Sequence, residues 1–190
     1  VEAMCEDELR AAGYYPAKPE PVRVERFVEK RFRVSVAYDD LPAGVLGYTL
    51  FGSDGVTGVH ISSVLAEEQS RTSNRRINST LAHEAGHGLL HSHLFAFSSE
   101  GLSLFGGDPD VTTTRILCRE PKGRGYGGQW WEVQANMVIG PLLMPRVHVL
   151  KAAEPFTREC GSLGGREIIP SSREDAVLCL ADVFDVNPAV

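Results

Sequence analysis

Residues 83–87 read His-Glu-Ala-Gly-His. On a helix His83 and His87 lie one turn apart on the same face, so both imidazoles leave in one direction. Two nitrogens so placed can share one zinc ion. Glu84 falls in the same sector of the helix, beside a water on that ion and not needed as a ligand. Zinc lowers the pKa of such a water towards ~7, and a neighbouring carboxylate can take its proton. The expected chemistry is hydrolysis, most often of a peptide bond. An accidental match is disfavoured by context. Leu81, Ala82, Ala85, Leu89 and Leu90 make the segment apolar and helix-prone, and charged groups in such a helix are costly without partners.

The site needs a third ligand, and three candidates stand out. His91 follows His83 by eight residues, which on a helix puts it about 12 Å along the axis, too far to share the metal. His93 occupies the position of the third histidine in HExxHxxGxxH. That pattern needs a Gly where this chain has Leu90, a residue that continues the helix. Glu132, in Trp130-Trp131-Glu132-Val133-Gln134-Ala135-Asn136, would close the site from a second helix, and it is the favoured ligand.

The run Thr80-Leu81-Ala82-His83-Glu84-Ala85-Gly86-His87-Gly88-Leu89-Leu90-His91 resembles the zinc helix of the ImmA/IrrE metallopeptidases. Glu132-Val133-Gln134-Ala135-Asn136 followed by Leu142-Leu143-Met144-Pro145 is similar to that family's second block, whose first Glu is the third zinc ligand. Ala181 to Val186 resembles a later stretch that opens a further helix in the family. The resemblance covers roughly residues 22–188. There are departures. Asn78-Ser79-Thr80 stands where many members have Arg-Phe-Thr, Val138-Ile139-Gly140 replaces Phe-Ala-Ala, and Asn187 replaces a Ser. The family's helix-turn-helix partner domain has no counterpart here. The resemblance implies a regulatory zinc endopeptidase with one Zn2+ per chain. Its implied substrate is a protein such as a helix-turn-helix transcriptional repressor. Two alternatives are a non-cleaving zinc-containing module that sequesters a repressor and a general degradative metalloprotease. Intact Glu84 favours an enzyme, because a purely structural zinc has no use for a carboxylate beside an open position.

Asn136 follows Glu132 by four residues and shares its helix face. Zinc-bound histidines usually donate their other N–H to an oxygen. In zinc peptidases with a Glu ligand an Asp often stands four residues after that Glu, and Asn136 resembles it. Its side-chain oxygen is expected near Nδ1 of a ligand histidine, His83 by preference.

The remaining elements must position these groups. The chain has 190 residues, enough for one domain with a core. Residues 1–21, with a helix-prone Met4 to Ala12 and a Pro-rich sequel, look peripheral; residues 22–190 would form a zincin-like domain. Val24, Phe27, Val28 and Phe32 recur at helical spacing. Val34 to Tyr38, Gly47 to Phe51 and Thr57 to Ile61 read as strands, the last two joined by a turn at Ser53-Asp54-Gly55. The zinc helix should start near Asn74 and end before His93. Residues 98–128 are rich in Gly, Ser and Thr, with strand-like pieces at Leu102–Phe105 and Arg115–Cys118; such a connection often forms a cleft rim. The second helix should span Gln129 to Leu143. A third should open with a capping box from Ser171 to Glu174. The class is α+β: a short mixed sheet packed on the active-site helix and further helices.

Other features read as structural. His60, at a strand end, is packed or solvent-facing. His91 and His93 suit a helix end, and His148 belongs to the scaffold. Trp130 and Trp131 would form core and cleft wall. Basic runs at Arg71 to Arg76 and Arg115 to Arg124 suit solvated loops. A net charge of −6 argues against nucleic-acid binding. No apolar run approaches the ~20 residues of a membrane span. Four scattered cysteines, Cys5, Cys118, Cys160 and Cys179, form no metal pair and suit buried thiols. No secretory signal is visible near residue 1, so a cytoplasmic location is expected.

Overall fold

The computed structural model describes residues 1–52, 54–96, 114–119, 130–160 and 164–190, with backbone only at 95, 96 and 114–119. Among these residues the architecture is α+β, with seven α-helices and a small mixed sheet. Helices α1 (Glu2–Ala12) and α2 (Val24–Phe32) lead into strands β1 (Val36–Asp39), β2 (Val45–Gly52) and β3 (Gly55–Ser62). The short α3 (Ser63–Glu67) precedes the long α4 (Arg71–Ala96). Strand β4 (Thr114–Arg119), α5 (Trp130–Leu143) and α6 (Arg146–Ala153) follow. A hairpin of β5 (Thr157–Cys160) and β6 (Gly165–Ile168) precedes α7 (Arg173–Val183).

The main sheet has the order β1-β3-β2-β4. β1 runs parallel to β3, and the other pairs are antiparallel. Alternation along β2 buries Val45, Gly47, Thr49 and Phe51 and leaves Leu46, Tyr48 and Leu50 half-buried. The buried face meets α4, which lies against β2 and β3 and packs most extensively on α5. α4 is thus sandwiched between sheet and α5, which explains why Leu81, Ala82 and Ala85 are fully buried around the His-Glu-Ala-Gly-His segment. No helix among the described residues is long and apolar enough to cross a membrane.

Several sequence expectations need correction. The first helix is not peripheral: Cys5, Leu9 and Ala12 are buried in the same core cluster as Phe27, Leu81 and Leu142. Apolar residues three and four apart gave α1 one sticky stripe, and α5 offers it a surface. The helix expected to carry the two histidines starts at Arg71 and does not stop before His93 but runs to Ala96. Leu89 and Leu90 pack against the core and keep this part of the helix docked. The expected capping box is not formed. A 3-10 turn at Pro170–Ser172 makes Ser172 the N-cap of α7, and its side chain makes no capping bond. Among the described residues after Val183, Val186 N–H returns to the Ala181 carbonyl, and Phe184 and Val186 bury in the core.

Arg71 to Arg76 lie on α4 and not in a loop. Arg75 is buried, donating from Nε to Asp185 at 2.9 Å and from Nη2 to Asp182 at 2.8 Å and to the Ala181 carbonyl at 3.0 Å. It therefore ties the start of α4 to the end of α7. The described cysteines, Cys5, Cys160 and Cys179, are free thiols, and of these Cys5 alone is buried. Burial pushes its thiol up to about 11.

Candidate metal centre

His83 and His87 project from the middle of α4, where both are almost wholly buried. Their Nε2 atoms lie 3.0 Å apart. Glu132, in the first turn of α5, brings Oε2 to 3.2 Å from His83 Nε2 and Oε1 to 3.4 Å from His87 Nε2. The three ligand atoms lie within 4.8 Å of one another and could hold a metal ion.

This meeting depends on how closely α5 crosses α4. Gly86 sits at the crossing, where an added Cβ would fall 2.9 Å from the Ala135 carbonyl oxygen and 3.0 Å from Ala135 Cα. A residue with a side chain there would hold the two backbones apart. Glycine costs an interior helix position about 1 kcal/mol against alanine, and the return is that the two ligand-bearing helices can touch.

The donor set fits a cation. Asn136 Oδ1 lies 2.9 Å from His83 Nδ1. The amide oxygen only accepts, so Nδ1 carries a proton, and Nε2 is the nitrogen able to offer a lone pair to a cation. Burial lowers His87 to about 4, so this ring is neutral near pH 7. Burial raises the Glu132 carboxyl, but hydrogen bonding with His83 and His87 outweighs it and brings the group down to about 2. A neutral imidazole at His87 and an ionised carboxylate at Glu132 are protonation states that ligands need.

Glu84 is wholly buried beside this group. Thr49 Oγ1, inward-facing on β2, donates to Glu84 Oε2 at 2.6 Å. Glu84 Oε1 is buried and has no hydrogen-bond partner among the described residues. Burial pushes this carboxyl up to about 7, against the His83 and Thr49 contacts that lower it.

No family model, curated protein or solved structure matches the chain. What the group can do therefore follows from its own atoms: three electron-pair donors converge on one point, and a carboxylate oxygen next to them is left free.

The other singled-out residues take varied places. His93 is exposed on α4 and outside the convergent group. His91 is not a helix-end residue but a buried one, with Nδ1 3.1 Å from His87 Nδ1 and Nε2 3.0 Å from Gln134 Oε1. His60 pairs with Asp39 at 2.5 Å and stacks on Tyr48 at 4.4 Å. By strand alternation it lies on the sheet face opposite the buried Val59 and Ile61, away from α4. His148 is buried, and its Nε2 donates to the Pro16 carbonyl at 2.8 Å. Trp131 packs beside Phe51, whereas Trp130 is 43% exposed and no core residue. The Cys118 side chain and the expected cleft rim over 98–128, apart from the backbone of β4, lie outside the described residues.

Sequence reasoning missed Thr49, His91 and Gln134. For Thr49 a signal existed: it is the polar residue between Gly47 and Phe51 on the inward face of an alternating strand. For His91 the signal was its spacing of one further turn from His87. Gln134 had none, because its role depends on where α5 crosses.

Proposed function

We propose that the chain is a zinc-dependent endopeptidase of the ImmA/IrrE type, with one zinc held by His83, His87 and Glu132. The observation that carries this reading is the free, buried Oε1 of Glu84 beside three convergent ligand atoms. A binding module needs the three ligands but gains nothing from a carboxylate buried at a cost and left half unpaired. The spacing supports zinc. Tetrahedral bonds of about 2.0–2.1 Å set ligand atoms about 3.3–3.4 Å apart, near the 3.0 Å between the two Nε2 atoms and the 3.2 and 3.4 Å from each of them to a different oxygen of Glu132. A helix carrying these groups against a small mixed sheet also supports a zincin-like arrangement.

Zinc bound here supplies Lewis acidity towards a peptide carbonyl and acidifies a water. The chain's own residues do the rest. Asn136 holds the His83 ring. Thr49 holds one oxygen of Glu84, and the other accepts a proton from the attacking water and delivers it to the leaving amine. Burial, which raises this carboxyl, favours its holding the proton between the two halves of that transfer. The proposed substrate is a protein, with a helix-turn-helix repressor as the first candidate.

The test is to load the purified chain with zinc and mix it with a helix-turn-helix repressor encoded beside it, with an unfolded generic protein in parallel. Discrete cleavage of the repressor supports the regulatory reading, and equal cleavage of both points to a degradative protease. Stoichiometric zinc and stable repressor binding without any cleavage overturns the enzyme in favour of a sequestering module.

A further inference from the structure

His83 and His87 are both placed to bind through Nε2, but their far sides differ. His83 Nδ1 meets an amide oxygen. His87 Nδ1 meets a third imidazole nitrogen, Nδ1 of His91, at 3.1 Å. A ligand histidine offers the Nε2 lone pair only if its proton sits on Nδ1, and that proton needs an acceptor. His91 Nδ1 accepts only if the His91 proton sits on Nε2. His91 Nε2 lies 3.0 Å from Gln134 Oε1, which takes that proton's hydrogen bond. Each requirement fixes the next, from an exposed residue on α5 to a buried ligand on α4. Trp130 stands edge-on to His91, its centroid 5.6 Å away, and confines the ring.

The reverse direction is equally consistent internally and is incompatible with the metal. If Gln134 turned its NH2 to His91, the proton of His91 would move to Nδ1 and donate to His87 Nδ1. His87 would then carry its proton on Nε2, where the ligand lone pair is required.

We propose that His91 and Gln134 are positioning residues for the metal, forming a directed hydrogen-bond relay in which the Gln134 amide oxygen sets the tautomer of His87. This rests on the metal-binding part of the functional reading and not on peptidase activity. Gln134 is the practical handle, because it is exposed and its replacement leaves the core intact. Gln134→Met keeps the length and removes the acceptor. Gln134→Glu keeps an acceptor and cannot present an N–H at neutral pH.

The experiment uses the full chain with zinc alone as the probe. Zinc affinity is measured by chelator competition, and histidine tautomers are read from imidazole nitrogen and proton NMR. The wild type should show His91 protonated on Nε2 and bare on Nδ1. Gln134→Met should weaken zinc binding about 10-fold, the low end for loss of a partner behind a ligand, and mix the His91 tautomers; Gln134→Glu should restore both. Zinc bound with His91 protonated on Nδ1, or equal affinity in Gln134→Met and wild type, overturns the relay and leaves the peptidase reading standing. A wild-type chain that binds no zinc overturns both.

Discussion

Thr49 Oγ1 lies 2.6 Å from Glu84 Oε2, although 35 residues separate a mid-strand threonine from a mid-helix glutamate. The same hydroxyl is 3.3 Å from the Glu84 carbonyl, so it caps the residue from the sheet side. With Oε2 engaged, Oε1 is the oxygen left without a partner among the described residues.

Thr49→Val keeps the shape and removes the donor. A hydrogen bond to a charged group contributes roughly 1.5–3 kcal/mol, so peptide cleavage should fall about 10–100-fold. Metal content should stay at the wild-type level, because Thr49 touches no ligand. The readout is kcat together with bound zinc. A fall in zinc instead of kcat would assign Thr49 to the scaffold.

Glu84→Gln should abolish cleavage and retain zinc, since the amide keeps the shape and cannot take the proton. It should also change stability with a definite pH dependence in the chelator-treated chain. The folded Glu84 carboxyl stands at about 7 against an ordinary 4.5. Below 4.5 the group is protonated in both states and contributes nothing. As pH rises from 4.5 to 7 the unfolded chain ionises, the folded one resists, and stability is lost. Gln has no such penalty. The variant should therefore match the wild type near pH 4.5 and exceed it above pH 7, by on the order of 3 kcal/mol at about 1.36 kcal/mol per pH unit. Urea unfolding at the two pH values measures this, and a gain that shrank as pH rose would contradict the burial argument.

Local spacing made half of this site legible. His83, Glu84 and His87 needed only helical periodicity, and so did the pairing of Glu132 with Asn136. The third ligand was harder, since choosing Glu132 over His93 depends on whether the helix breaks at Leu90, and Leu89 and Leu90 are held by the core. The same continuation turned His91 from a supposed helix-end residue into a buried one. Strands β2 and β3 followed from alternation and a glycine turn. Arg75 and Gln134 were opaque because each acts through a partner on another element, and no periodicity encodes where two elements cross; Thr49 showed only its inward place on an alternating strand, not its partner. The capping box failed for a local reason, the 3-10 turn that starts at Pro170.

Asn136→Ala removes the acceptor 2.9 Å from His83 Nδ1. The ring then loses the contact that fixes its proton and orientation, and zinc affinity should fall about 10–100-fold. Asn136→Asp keeps an acceptor in place and should bind at least as tightly as the wild type. Chelator competition at fixed pH checks both. Undiminished affinity in Asn136→Ala would show that His83 is oriented by packing alone.

Gly86 and Gly140 separate propensity from packing. Both are helical glycines, and alanine at an open helix position should gain up to about 1 kcal/mol. A Cβ at Gly140 meets nothing within 4 Å outside its chain neighbours, but Pro141 follows it, and a proline ring disfavours helical backbone for a preceding residue that has a Cβ. Gly140→Ala should therefore change stability little and leave the metal untouched. A Cβ at Gly86 meets the backbone of Ala135 at 2.9 and 3.0 Å, and a backbone cannot swing aside as a flexible side chain does. Overpacking of that kind costs about 1–3 kcal/mol, enough to exceed the propensity gain. The strain is relieved by moving α5 away from α4, and Glu132 is only one turn of α5 from the contact. Gly86→Ala should therefore lose both stability and zinc affinity, whereas a loss of stability alone would mean that the carboxylate reaches the histidines whatever the helix spacing. Thermal unfolding and zinc titration of the two variants side by side decide between these outcomes.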